Sequence, residues 1–182
     1  MPRGINAANL LTLLRLVLVP FVIGAILEGH HTIALALFAC AASTDVLDGA
    51  VARRFGLATP GGAWFDPIAD KCLLSGVFLA LAGTGIVPWW LVGIIFGRDL
   101  YILLGAAAVM LLTPVRRFPP SIWGKVSTFV QIVTAVLWMA GSLLQARVMH
   151  ALSSAMLWPC AAFTVWSGID YTRRAIRTLR EH

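Results

Sequence analysis

The stretch Ala41–Lys71 reads AASTDVLDGAVARRFGLATPGGAWFDPIADK and holds four of the chain's eight acidic residues, Asp45, Asp48, Asp66 and Asp70. On a helix, Asp45, Asp48, Gly49, Ala52 and Arg53 fall at i, i+3, i+4, i+7 and i+8, which is one continuous face. Asp66 and Asp70 fall at i and i+4 of a second helix, with Gly62 one turn earlier. Thr59-Pro60-Gly61-Gly62 predicts a turn between them, so the two helices are expected to be antiparallel neighbours whose acidic faces share a cavity. The surroundings are otherwise strongly apolar. An ionised side chain near a bilayer centre costs about 3 kcal/mol or more, so four together require compensation by metal ions, phosphate-bearing substrates or both. The stretch therefore predicts a helical membrane architecture and a candidate active site at once.

The rest of the chain agrees with the membrane reading. Of its 182 residues 59% are hydrophobic and 12% charged, against about 25% charged in soluble domains, and the mean hydropathy is +0.86. One domain, residues 1–182, is expected at this length. A spanning helix needs roughly 20 mostly apolar residues. Six such runs are predicted, near Leu10–Leu27, Ile33–Arg53, Phe65–Ala82, Pro88–Leu112, Val126–Leu144 and Val148–Ile169. Gly29-His30-His31 and Gly83-Thr84-Gly85 punctuate the first two pairs, and Pro88-Trp89-Trp90 reads as an interfacial anchor.

Net charge is +6, but the basic residues lie at the ends of the spans rather than on a soluble basic face. Topology and anionic headgroups explain them better than nucleic acid does. Arg3, Arg53, Arg54, Arg116, Arg117, Lys125 and the tail residues Arg173, Arg174, Arg177 and Arg180 fall at the N-terminus, the even-numbered connections and the C-terminus. The positive-inside rule then places both termini in the cytoplasm and gives an all-α protein of six spans. The early run lacks a small-residue cleavage site, so the first helix is expected to be retained. Cys40, Cys72 and Cys160 show no metal-binding spacing and are expected to be small buried hydrophobes. The histidines, at 30, 31, 150 and 182, are expected in loops or the tail, and the tryptophans at interfaces or against lipid.

Four carboxylates converging in a low-dielectric site cannot all remain ionised without cations. An oxygen-only donor set suits Mg²⁺, Mn²⁺ or Ca²⁺ and disfavours zinc. Two ions held between paired carboxylates is an arrangement that grips phosphoryl groups. Gly49, Gly62 and Ala52 keep the face low, so a large substrate head can approach the backbone. Inter-helix ion pairing, such as Asp48 with Arg53 or Asp66 with Lys71, is the plainer alternative, but it leaves negative charge over.

The pattern Asp45-x2-Asp48-Gly49-x2-Ala52-Arg53-x8-Gly62-x3-Asp66-x3-Asp70 resembles, at every fixed position, the signature of CDP-alcohol phosphatidyltransferases. Asn9, Thr12 and Arg15 are similar to the family's N-terminal pattern, and Phe65-Asp66-Pro67-Ile68-Ala69-Asp70-Lys71 to its glycerophospholipid branch. The resemblance implies a six-helix membrane enzyme, commonly a homodimer, that exchanges CMP for an acceptor alcohol on a phosphatidyl group of CDP-diacylglycerol. It assigns Asp45, Asp48, Asp66 and Asp70 to a site for two Mg²⁺ or Mn²⁺ ions, with Asp70 also the general base. Gly49, Ala52, Arg53 and Gly62 would line the CDP pocket. A multi-pass protein of a bacterial-type inner membrane, its active site on the cytoplasmic side, is the expected setting.

A phosphate-bearing acceptor needs cations, and Arg98, Arg116, Arg117 and Lys125 are the candidates. Arg116 and Arg117 read equally well as topology signals, and Arg98 could pair with Asp99 or Asp45. Phosphatidylglycerophosphate synthases carry Arg-Glu and a second arginine in the fourth span, where this chain has Arg98-Asp99 and Ala106. Those departures, and Pro120–Thr128, look more like cardiolipin synthases that use CDP-diacylglycerol. Glycerol 3-phosphate and phosphatidylglycerol remain the two acceptors, and an inositol phosphate fits less well. A divalent-cation transporter lined by intramembrane carboxylates, or an aspartate-rich prenyltransferase, are the alternatives of other kinds.

Overall fold

The computed structural model describes residues 7–55, 62–112, 121–144 and 147–180, and for 7–12, 44–55, 62–70, 110, 112 and 178–180 it describes the backbone alone. The described residues form six α-helices and no strand: α1 (Ala7–Leu27), α2 (His31–Phe55), α3 (Gly62–Gly83), α4 (Trp89–Leu112), α5 (Ile122–Leu144) and α6 (Arg147–Arg180). Each coincides with one of the six predicted runs. Among the described residues, Trp89–Val109, Ile122–Leu144 and Arg147–Arg177 are long and apolar enough to cross a bilayer, and Leu13–Leu27, His31–Ser43 and Lys71–Gly83 are shorter apolar helical runs.

Two helices end in the same way, and the glycines explain it. Gly29 (φ 76°) and Gly85 (φ 74°) adopt the left-handed conformation that side chains disfavour. Each sits just past a helix, where its N–H and the next one fold back onto the last turn. His30 N–H donates to the Ala25 carbonyl (2.8 Å) and Gly29 N–H to that of Ile26 (3.1 Å). Ile86 and Gly85 repeat the pattern onto Leu81 and Ala82 (2.9 and 3.0 Å). Carbonyls that would otherwise lack partners are satisfied, which fixes the ends of α1 and α3.

The chain divides into two compact units, the first built on α1–α3 and the second on α4–α6. In the first, α1 packs on both α2 and α3. Val22, Ile26, Phe38, Val77, Phe78 and Leu81 are buried between them. Gly76 lets α3 come close: a Cβ there would lie 2.8 Å from Ile23 Cδ1, the small-residue approach that membrane helices use in place of a hydrophobic driving force. Arg15 is buried in this unit, and its Nε–H donates to the Ala41 carbonyl of α2 at 3.3 Å.

In the second unit α4 packs on α6, and a buried polar cluster ties α5 to α6. Gln131 Nε2–H donates to Thr164 Oγ1 (3.1 Å) and Ser127 Oγ (3.3 Å), and the two hydroxyls lie 3.3 Å apart. Inter-helix hydrogen bonds of this kind contribute about 0.6 kcal/mol each in membranes.

The differences from the sequence expectations are local. Helix α5 starts at Ile122 rather than Val126, because Ser121 caps it: the Gly124 N–H donates to Ser121 Oγ at 3.3 Å. Helix α6 runs past Ile169 to Arg180. Hydropathy drops at its arginines, but arginine is a good helix former and its charge suits the carbonyl end of a helix. His31 opens α2 and His150 lies within α6, where its ring meets buried Trp138 edge-on at 6.0 Å. Neither is a loop residue. Of the cysteines only Cys160 is buried, while Cys40 and Cys72 are exposed on their helices.

Candidate active site

The acidic motif falls entirely on two consecutive helices of the first unit. Asp45, Asp48, Gly49, Ala52 and Arg53 occupy the C-terminal half of α2, and Gly62, Asp66 and Asp70 the N-terminal half of α3. The backbone is helical through each set, so the register positions i, i+3, i+4, i+7 and i+8, and i and i+4, hold. The side chains of all eight lie outside the described residues. Ala41, which accepts the hydrogen bond from buried Arg15, precedes Asp45 by one helical turn. A guanidinium is thus fastened to α2 just before the motif begins.

A donor set of four carboxylates without histidine or cysteine fits hard divalent ions such as Mg²⁺ or Mn²⁺. Among the described residues no group of three or more His, Cys, Asp or Glu is placed to hold a metal.

Of the residues expected to meet an acceptor, Arg98 and Lys125 lie on helices of the second unit, and three helices meet at Arg98. Arg98 on α4 has a side chain only 9% exposed. Its Nη1 donates to Asp99 Oδ1 at 2.7 Å, so Asp99 is its ion-pair partner. Its Nη2 donates to Ser167 Oγ on α6, and its Nε has no hydrogen-bond partner among the described residues. Gly124, at the start of α5, completes the junction, since a Cβ there would lie 3.5 Å from Arg98 Nη2 and 3.8 Å from Ser167 Oγ. Lys125 follows directly and is exposed. Arg116 and Arg117 lie outside the described residues.

Two polar residues that the sequence reading passed over hold this arrangement. Ser167 fixes the guanidinium of Arg98. Asp170, one turn further along α6, accepts from the Ser121 hydroxyl at 2.5 Å and from Arg174 Nε at 2.7 Å. Ser121 caps α5, so Asp170 pins the turn that carries Gly124 and Lys125. The signal available in the sequence was the i, i+3, i+7 spacing of Ser167, Asp170 and Arg174 on one face of α6.

Beside Arg98 an open groove of about 460 Å³ runs between α4 and α6, bordered by Gly93, Gly97, Tyr101, Gly168 and Thr172. It stays open because Gly93 and Gly97 present no side chain: a Cβ built on either meets nothing within 4 Å. The hydroxyls of Tyr101 and Thr172 lie 2.8 Å apart and join α4 to α6 at one end.

Comparison with known proteins identifies the family. A sequence model of the CDP-alcohol phosphatidyltransferases matches residues 5–166. The chain is 40% identical to a protein of Mycobacterium tuberculosis named probable phosphatidylglycerophosphate synthase, over 97% of this chain and 85% of that protein. It is 31% identical to the CDP-diacylglycerol–glycerol-3-phosphate 3-phosphatidyltransferase of Bacillus subtilis, over 91% of this chain and 93% of the other. It is 36% identical to a probable CMP-forming cardiolipin synthase of Drosophila melanogaster, over 69% of this chain and 44% of that protein. With the complete acidic motif in helical register and the match spanning most of its length, the chain belongs to the CDP-alcohol phosphatidyltransferase family of membrane enzymes.

Proposed function

We propose that this enzyme transfers the phosphatidyl group of CDP-diacylglycerol to a glycerol-based acceptor and releases CMP. The observation that carries the reading is the eight-position motif in register on α2 and α3, inside a chain that the family model covers from residue 5 to 166. The acceptor hydroxyl oxygen attacks the phosphorus that bears the diacylglycerol, the bond from that phosphorus to the CMP oxygen breaks, and CMP departs with the electron pair. The hydroxyl proton passes to the carboxylate of Asp70. Asp45, Asp48, Asp66 and Asp70 would hold two divalent ions, and such ions would supply neutralisation of the diphosphate and of the departing CMP oxygen. Gly49, Ala52 and Gly62 leave room for the CDP group, and Arg53 binds its phosphates.

Arg98 and Lys125 receive the acceptor, with Arg116 a further cation for it. Arg98 keeps an N–H to give, and the groove beside it admits a ligand. Ser167 and Asp170 are positioning residues for that pair. The relatives named for phosphatidylglycerophosphate or glycerol 3-phosphate are matched over 85% and 93% of their own lengths, the first at 40% identity, which favours glycerol 3-phosphate. The likeness to CMP-forming cardiolipin synthases keeps phosphatidylglycerol as the second reading.

The setting we infer is a single membrane domain of six spans, a homodimer, with both termini and the motif on the cytoplasmic side. The span count and sidedness rest on the six helices and on the arginines at their ends, and the homodimer on the family resemblance alone. Impermeant thiol labelling of Arg3→Cys and Glu181→Cys in sealed inverted vesicles should modify both, and protection of either overturns the topology.

The deciding assay uses purified protein in detergent with CDP-diacylglycerol, Mg²⁺ or Mn²⁺, and each acceptor in turn. CMP should appear, and mass spectrometry of the lipid product names the acceptor. An absence of CMP with a broad set of alcohols would refute the reading, and metal flux in proteoliposomes without any nucleotide lipid would restore the transporter.

A further inference from the structure

A face of the second unit combines an aromatic slot with two exposed arginines, Arg173 and Arg177. The slot, about 260 Å³, is lined by Trp123 of α5 and Ala162, Phe163 and Trp166 of α6. Trp123 stacks on Phe163 (centroids 6.0 to 6.3 Å from its two neighbours, 6.3 Å here, planes 20° apart) and meets Trp166 edge-on at 6.0 Å and 79°. Ala162 leaves the floor open. Trp166 and Ser167 are consecutive, so their side chains point about 100° apart around α6. One faces this slot and the other holds Arg98.

Two turns along the same face of α6, the guanidinium of Arg173 lies over the Trp166 ring, 5.6 Å from its centroid. Arg177 follows one turn later, also exposed. The nearest carboxylate on the helix, Asp170, is engaged by Arg174 and Ser121. The face is therefore apolar and aromatic in its membrane-spanning part and cationic at the helix end. A phospholipid has the same order of parts, an acyl chain continuing into a charged phosphate headgroup. Basic residues at the membrane surface contribute about 1 kcal/mol each toward anionic lipid, and an arginine held over a tryptophan gains from cation–π attraction as well.

We propose that this face is a binding site for an anionic phospholipid of the surrounding bilayer, one chain lying in the Trp123–Phe163–Trp166 slot and the headgroup phosphate on Arg173 and Arg177. Charge complementarity selects the occupant: zwitterionic lipids fill the slot equally well but gain less from the two arginines. The site uses none of the residues assigned to the acceptor and does not depend on the reaction proposed above.

Native mass spectrometry of the detergent-purified protein, titrated with phosphatidylserine or phosphatidylcholine of identical chains, tests the site. Phosphatidylserine is the probe because it lacks a glycerol hydroxyl to serve as acceptor, and the part of its retention that R173Q/R177Q removes reports this site. The wild-type protein should retain phosphatidylserine at least threefold over phosphatidylcholine. R173Q and R173Q/R177Q should abolish that preference, R173K should keep it, and Trp166→Ala should lower retention of both lipids. R98A should leave the preference intact. Equal retention of the two lipids by the wild type overturns the site, as does an R173Q/R177Q protein that keeps the wild-type preference. Loss of the dimer mass in R173Q/R177Q with lipid retention unchanged also overturns it, since the face would then be a contact between copies of the chain. Both arginine changes are at exposed positions, so the test stands even where Trp166→Ala fails to fold.

Discussion

The acidic residues of the first and second units answer different physical problems. On α4 and α6, Asp99 and Asp170 each have an arginine of their own helix at 2.7 Å, Arg98 as the neighbouring residue and Arg174 one turn on. They serve as holders: one orients a guanidinium, the other pins the start of α5 through Ser121. In Ala41–Lys71 four aspartates face a sequence supply of only Arg53, Arg54 and Lys71, spaced so that two helical faces concentrate the negative charge. A carboxylate with a cation on its own helix is adequately explained by packing. Carboxylates gathered at helical spacing with too few cations call for a ligand that brings positive charge.

The sharpest way to break this contrast is to change the two classes of aspartate in parallel. Asp70→Asn should lower kcat by a hundredfold to about ten-thousandfold, the usual range for a lost general base, while CDP-diacylglycerol binding persists. Asp45→Asn should lose metal-dependent binding of the nucleotide lipid, measured by retention with and without chelator. A near-wild-type rate for Asp70→Asn ends the general-base assignment. Next in size, Arg98→Ala should raise the KM for the acceptor about tenfold, the scale of a charge-assisted hydrogen bond, with the KM for CDP-diacylglycerol little changed. The reverse pattern moves Arg98 to the donor.

Asp170→Asn tests whether the second-unit acids are holders. It should raise the acceptor KM about threefold to fivefold through a weakened hold on Ser121, and kcat should stay within a factor of two. A collapse of kcat comparable to that of Asp70→Asn would erase the distinction between the two classes. The smallest effect expected is on stability alone. Gln131→Leu removes the buried bridge from α5 to Thr164 of α6, with its link to Ser127 of the same helix, and should cost about 1 kcal/mol or less, read as a modest fall in the detergent Tm with both KM values unchanged.

Much of the architecture was legible because it is periodic or punctuated. A run of apolar residues near bilayer length marks a helix whatever it packs against, and Gly29 and Gly85 end α1 and α3 because only a residue without Cβ is at ease there. The start of α5 was less legible, since its cap depends on Ser121 turning toward Gly124, and the reach of α6 was hidden by reading hydropathy where helix propensity governs. Trp138 and His150 escaped for a related reason: their pairing across α5 and α6 follows no local period.

The sequence by itself determined the six helices, the membrane class, and the helical register of Asp45, Asp48, Asp66 and Asp70, because each depends on residues within a few turns of one another. Tertiary structure alone decided how the guanidinium of Arg98 is held across helices. The pairing with Asp99 is local, but the hold of Ser167, the approach of Gly124 and the grip of Asp170 on Ser121 come from three helices, with Ser167 69 residues and Asp170 49 residues from the groups they hold. Contacts at such separations are set by how helices pack, and no local spacing records them.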